Sequence, residues 1–278
     1  MLELFYITNN QYEAKIADNL GVDWIFIDLE KIGKVNRQKD RNTVISNHEI
    51  KDIELINTVT NKAKILVRCN PYGEWTENEI AQIGENDYVD MVMLPYFKEV
   101  EEVESFLKIA NSYSFKVALL LETMSGINNL DEILSLSGID YVHIGLNDIH
   151  IERKTQFMFE PFSDGLVDSV VTKLKKYNQK FGIGGIGCIS KEILPSAESL
   201  LGEHYRLGSK GVILSRTFKP EFDKTNLLDF EMKLKNSLDL FRNKEQFMKR
   251  QNDIYFEENK LKVNNDISSV VKSIINKN

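Results

Sequence analysis

Eight short apolar runs recur along the chain, each followed by a segment of different periodicity. They are LELFYI, DWIFID, KILVRC, DMVMLP, KVALLLE, DYVHIG, FGIGGIG and KGVILS. Each is rich in Val, Ile, Leu or aromatic residues and is bounded by polar ones, which predicts a strand. The runs are apolar throughout rather than alternating, the pattern of parallel strands buried on both faces. Between them, Tyr12 to Leu20, Glu49 to Val59, Val100 to Ser112 and Leu166 to Phe181 carry apolar residues at intervals of three and four, the spacing of amphipathic helices. Strand, helix, strand repeated eight times predicts an α/β fold, a (β/α)8 barrel. A doubly wound open sheet is the alternative. It is disfavoured because no Gly-x-Gly-x-x-Gly follows the first run and six strands would leave two runs unused.

A chain of 278 residues with 42% hydrophobic content is long enough for one such barrel. The last run ends at Ser215, so the barrel is expected over residues 1–220, with a helical extension over 221–278. Glu231 to Phe247 and Ile267 to Ile275 read as helices, with a very polar stretch from Gln251 to Asn265 between them. Such an extension packs either on its own barrel or on a neighbouring subunit.

In parallel barrels the chemistry sits at the C-terminal ends of the strands. The residues that close apolar runs there are Asp28 with Glu30, Arg68, Glu122 and Asp148. Glu122 follows four apolar residues, and a carboxylate in that setting needs a pairing charge, a hydrogen bond or a cation. Two carboxylates together with substrate oxygens and water suit Mg²⁺ or Mn²⁺. No His-rich or Cys-rich cluster points to zinc. The plain alternative is that each acid caps a helix or pairs with a lysine.

Thirty-five basic residues against 42 acidic ones give a net charge of −7, with no basic block interleaved with aromatics, so nucleic acid is not an expected partner. Cys69 and Cys188 are too few for a disulfide framework and read as reduced thiols of a cytoplasmic protein. The start, MLELFYITNN, has no basic export region, and no apolar stretch approaches the ~20 residues of a membrane span.

The segments WIFIDLE, ILVRCNP, MVMLP, LLLET and IGLND, in this order over roughly residues 20 to 218, resemble the HpcH/HpaI aldolase and citrate lyase β-subunit family. The resemblance implies a divalent-metal-dependent carbon–carbon lyase acting on an α-keto acid such as pyruvate, or on an acyl-CoA thioester. It implies that Glu122 and Asp148 are the metal ligands, that Arg68 binds the keto or enolate oxygen, and that the backbone amides of Asn147 and Asp148 face the substrate carboxylate. It also implies a homo-oligomer built through swapped C-terminal helices.

Two positions depart from the family pattern. Lys31 stands where aldolase members have a histidine directly after Asp-x-Glu, and Leu120 stands where a polar residue is common. Asp28, Glu30 and Lys31 are therefore the candidates for handling water and protons. A barrel that binds metal or a partner without turnover is the reading from another functional class.

The loop after Lys31 carries Lys34, Arg37, Lys39, Arg41 and His48, either a clamp for a phosphate or second carboxylate of a small-molecule substrate or a merely solvated loop. Lesser features read as structural. GIGGIG lacks the Lys-Ser/Thr of a phosphate loop and suits a tight barrel end. His143 suits a hydrogen-bonded interior position, His150 a supporting one near Asp148, and Cys69 a pocket wall.

Overall fold

In the computed structural model, which describes residues 1–34 and 47–277, the eight apolar runs form the eight parallel strands of a closed barrel in sequence order. They are β1 (Glu3–Ile7), β2 (Trp24–Asp28), β3 (Lys64–Arg68), β4 (Met91–Leu94), β5 (Lys116–Leu121), β6 (Tyr141–Ile144), β7 (Phe181–Ile186) and β8 (Gly211–Leu214). The helices that follow are α1 (Gln11–Asn19), α2 (Lys51–Asn57), α3 (Thr76–Gly84), α4 (Val100–Ala110), α5 (Met124–Asn128), α6 (Leu130–Ile133), α7 (Leu146–Arg153), α8 (Glu160–Ser163), α9 (Leu166–Lys176), α10 (Ala197–Leu207), α11 (Leu227–Met248) and α12 (Asp253–Ile275). This is a (β/α)8 barrel with additional C-terminal helices. Every residue of β2, β4 and β6 is buried, which accounts for the unbroken apolar character of their sequences.

The chain divides into two compact units, Phe5–His143 and Met1–Leu4 with Ile144–Asn278. In the first, acids placed just before strands tie neighbouring segments together. Asp90 accepts the Ile65 N–H at 2.9 Å and Asp140 accepts the Val117 N–H at 2.9 Å. Asp18, at the end of α1, takes three successive amides from Asn61, Lys62 and Ala63 at 2.9, 2.9 and 2.6 Å. Asn10 caps α1 by accepting the Tyr12 and Glu13 amides.

In the second unit, the β7–β8 ladder shifts register between Gly182 and Gly185, and Gly184 has φ +48°. A Cβ at Gly184 would lie 2.9 Å from the Leu146 side chain. The GIGGIG sequence thus builds an irregular strand against α7.

The C-terminal helices correct one expectation. The polar stretch is helical from Asp253 through Asn265, as part of α12, which follows an Asn252 cap. Its buried face is Asn259, Val263 and Ile267. α12 packs on α10 and α8 of its own chain. Gly202 permits the approach, since a Cβ there would meet Asn259 Nδ2 at 2.6 Å. Asn259 Nδ2 donates to Ser199 O at 3.0 Å and to Glu203 Oε1 at 2.9 Å. Arg206 donates to Glu203 and to both oxygens of Asp168, which Lys260 also reaches at 3.2 Å. α11 holds the N-terminus: buried Glu245 accepts the Leu2 N–H at 2.7 Å and the Tyr205 hydroxyl at 3.0 Å, and Arg242 donates to Leu2 O at 2.8 Å. Among the described residues no helix is long and apolar enough to cross a membrane.

Candidate active site at the strand ends

Asp28 ends β2 and Arg68 ends β3, and the register pairs them directly. Arg68 donates through Nε to Asp28 Oδ1 at 2.8 Å and through Nη2 to Asp28 Oδ2 at 2.7 Å. Glu30 Oε2 lies 3.5 Å from the same Nε. The guanidinium also sits 5.4 Å from the centre of the Phe26 ring. Burial works to lower the Arg68 pKa, but the charges of Asp28, Glu30 and the farther Glu122 outweigh it and hold the guanidinium above its ordinary value. A permanent cation is therefore fixed at the end of β3, where acids from the ends of β2 and β5 bear on it.

A second cation joins this cluster. Lys34 is buried, with Nζ 3.1 Å from Asp28 Oδ2 and 3.2 Å from Glu30 Oε2. Two carboxylates and two cations balance, which is how such charges tolerate burial. Backbone contacts fix the acids further. The Asp28 N–H donates to His48 Nδ1 at 2.8 Å, and the Glu30 N–H donates to Asp28 Oδ1 at 3.2 Å. Because Nδ1 accepts that bond, the proton of the neutral imidazole is on Nε2.

These positions change the reading of the basic loop. Lys34 belongs to the acid cluster and His48 supports the β2 end, so neither stands in an open clamp. Lys34 was missed as a site residue; its one signal was its placement four residues after Glu30. Arg37, Lys39 and Arg41 lie outside the described residues.

Lys31 takes a different position from Lys34. Its side chain is exposed, and its N–H, with that of Ile32, donates to Asn70 Oδ1 at 2.8 and 2.9 Å. Asn70 in turn donates Nδ2 to Glu79 Oε1 at 2.6 Å and its N–H to Glu79 Oε2 at 3.0 Å. Burial raises the Glu79 pKa, against the lowering effect of those two hydrogen bonds. Lys31, His48, Asn70 and Glu79 line a cavity of about 380 Å³. Cys69 is fully buried, and burial followed by the Glu79 charge pushes its thiol well above its usual range.

Glu122 directly follows β5 and is buried; Thr123 beside it donates to Phe97 O at 2.6 Å and caps α5 by accepting the Gly126 N–H. Asp148 and Asn147 belong to the other compact unit, in the first turn of α7. Asp148 is buried, Asn147 is half-buried, and the Asn147 amide donates to Asp148 Oδ1 at 3.2 Å. Their backbone N–H groups fall among the first amides of a helix, which have no acceptor within it. His150 Nδ1 meets Thr155 Oγ1 at 2.6 Å, and His143 is an interior residue 3.4 Å from the Tyr141 hydroxyl. Among the described residues no group of three or more His, Cys, Asp or Glu side chains is arranged to hold a metal ion.

A closed (β/α)8 barrel with paired acids and cations at its strand ends places the protein among barrels that carry a charged strand-end site. The chain belongs to the HpcH/HpaI aldolase/citrate lyase family, whose model matches residues 2–158. That membership supports lyase activity at the coarse level of the family.

Among solved structures, the chain is similar to a HpcH/HpaI aldolase/citrate lyase family protein from Burkholderia cenocepacia J2315, at 12% identity and TM-score 0.59, covering 87% of this chain and 94% of that one. It is also similar to a HpcH/HpaI aldolase from Desulfitobacterium hafniense DCB-2, at 11% identity and TM-score 0.57, covering 91% and 94%. The citrate synthase SbnG aligns at 14% identity and TM-score 0.56, covering 87% and 93%. At these identities the likeness is one of fold. No curated protein matches the sequence.

Proposed function

We propose that the protein is a divalent-metal-dependent carbon–carbon lyase of the aldolase type, acting through the enolate of an α-keto acid such as pyruvate. The observation that carries this reading is the guanidinium of Arg68, fixed by Asp28 on one edge and within the field of Glu122. In this reading Glu122 and Asp148 hold Mg²⁺ or Mn²⁺. Both are buried carboxylates, oxygen donors that suit a hard cation. When bound, such an ion draws charge from a keto oxygen and acidifies the neighbouring carbon.

The side chains supply the rest. Asp28 occupies Nε and Nη2 of Arg68, so the Nη1 edge is the one that meets the developing oxyanion. The first-turn amides of Asn147 and Asp148 bind the substrate carboxylate. Asp28 and Glu30, neutralised by Lys34 and Arg68, order water beside the reacting carbon. Lys31 stands at the position of the family's histidine and carries the proton between the site and solvent.

The test is deuterium exchange into the methyl group of pyruvate, followed by NMR with and without Mg²⁺ or Mn²⁺. The expected result is metal-dependent exchange that Glu122→Ala abolishes. Absence of exchange with pyruvate together with exchange at the acetyl methyl group of acetyl-CoA would favour a citrate-lyase-like acyl-CoA lyase, citrate lyase being the other activity in the family's name. Absence of both would favour a barrel that binds without turnover.

A further inference from the structure

We propose that Asn70 and Glu79 are positioning residues that fix the backbone of Lys31 and Ile32, and with it the place from which the Lys31 side chain acts. The β2–β3 ladder runs one step past the paired Asp28 and Arg68, where the Leu29 N–H donates to Arg68 O at 2.9 Å. The Glu30 N–H then turns back on Asp28, and the next two amides go to a side chain instead. Asn70 Oδ1 accepts the N–H groups of both Lys31 and Ile32, at 2.8 and 2.9 Å. Both residues are exposed, so hydrogen bonds rather than packing hold this segment.

An asparagine amide presents an acceptor at one end and a donor at the other, and its neighbours decide which end faces where. The N–H groups of Lys31 and Ile32 can only donate, and an ionised Glu79 can only accept. Glu79 is buried on α3; its Oε1 accepts Asn70 Nδ2 at 2.6 Å and its Oε2 accepts the Asn70 N–H at 3.0 Å. One orientation of the Asn70 amide satisfies all of these contacts. The flipped one sets the Asn70 NH₂ against the two backbone N–H groups and its oxygen against the carboxylate, so Glu79 holds Asn70 in the orientation that binds the Lys31 segment.

Lys31, Asn70 and Glu79 line one cavity of about 380 Å³ and belong to one compact unit. The relay therefore runs from a rigid helix, through the residue that follows Cys69, to the exposed lysine two positions past Leu29. Proton transfer depends on placement, and a side chain on an exposed segment keeps its placement only if the backbone beneath it is fixed. That this placement serves proton transfer rests on the lyase reading above; the holding of the backbone does not.

The experiment exchanges the two roles in the full chain. Glu79→Gln alone sets a new donor against Asn70, and Asn70→Asp alone sets a new carboxylate against Glu79. Together they rebuild every contact: the new carboxylate accepts from the amides of Lys31 and Ile32 and from the new side-chain amide, whose oxygen accepts the backbone N–H at position 70. Amide hydrogen exchange, read by mass spectrometry on peptides spanning Lys31 and Ile32, should quicken about tenfold or more in each single variant and return to within about twofold of the parent in the double variant. Parental exchange in the single variants, or fast exchange in the double variant, overturns the proposal. If a single variant fails to fold, the double variant decides by the same criterion. In the pyruvate assay each single variant should lose about 10²-fold and the double variant should recover, and Asn70→Asp should cost nothing further once Lys31→Gln is present. An undiminished loss in that background would be a merely structural effect and would overturn the positioning role. No pyruvate exchange in the parent would overturn the lyase reading alone, because amide protection needs no substrate.

Discussion

Asp28 and Arg68 occupy matching positions of adjacent strands and close a two-point ion pair, with N–O distances of 2.8 and 2.7 Å. The geometry uses the planar edge of guanidinium, which an ammonium cannot present. Arg68→Lys is therefore expected to keep the charge and lose the placement. Metal-dependent deuterium exchange into pyruvate should fall about 10²–10³-fold, the scale of removing one preorganised oxyanion donor. Exchange at the parental rate would remove Arg68 from the reacting centre.

Lys31 and Lys34 are three positions apart and should separate cleanly. Lys34→Met leaves Asp28 and Glu30 sharing one cation, at an expected cost of about 2–4 kcal/mol in urea unfolding. Lys31→Gln alters an exposed side chain and should change stability by no more than ~0.5 kcal/mol. If Lys31 carries the proton, that same variant should slow exchange by about 10²-fold. Unchanged exchange would move the proton role to another group.

Asp168 gives a pH dependence with a definite sign. Burial works to raise its pKa, but Arg206 and then Lys260 outweigh it and hold the carboxyl below its ordinary value of 3.8. The native state then binds this proton less readily than the unfolded chain does. Its contribution is present above the unfolded value and is lost as pH falls through the lower folded one. Melting temperatures of the parent and Asp168→Asn should differ at neutral pH and converge below about pH 4. A constant gap across that window would mean that the carboxylate charge contributes nothing.

Gly202→Ala should loosen the C-terminal helix. The added methyl carbon falls 2.6 Å from Asn259 Nδ2, and Asn259 is already committed to Ser199 and Glu203. An overpacking cost of about 1–3 kcal/mol is expected in chemical denaturation. Greater amide exchange confined to Asp253–Ile275 would localise the effect, and stability equal to the parent would contradict the close approach.

The barrel was legible because each of its strands is an uninterrupted apolar run such as WIFID or MVML, a pattern set by burial on both faces. The strand-end charges were legible for the same reason, since Asp28 and Arg68 each close such a run. The fate of Lys34 was not, because its long side chain turns back from a loop into a cluster made by residues distant in sequence. α12 was half hidden because its buried stripe begins with an asparagine. Asn259, Val263 and Ile267 are four apart, but a polar residue that earns its burial through two hydrogen bonds carries no apolar signal. The resemblance to the lyase family was legible from ordered strand-end segments, and the family model matches a region that includes Asp28, Arg68, Glu122 and Asp148.

The clamp on the N-terminus also sets a schedule for synthesis. Leu2 bonds a residue 243 positions later, so the segment leading into β1 waits for its partner while all the strands between are made. At ~5–20 residues per second, that wait lasts about 10–50 seconds. Phe5–His143 is completed within that wait, whereas the unit that joins Met1–Leu4 to Ile144–Asn278 is incomplete throughout it. The emerging chain thus has to keep Leu2 and Leu4 out of wrong pairings until α11 arrives.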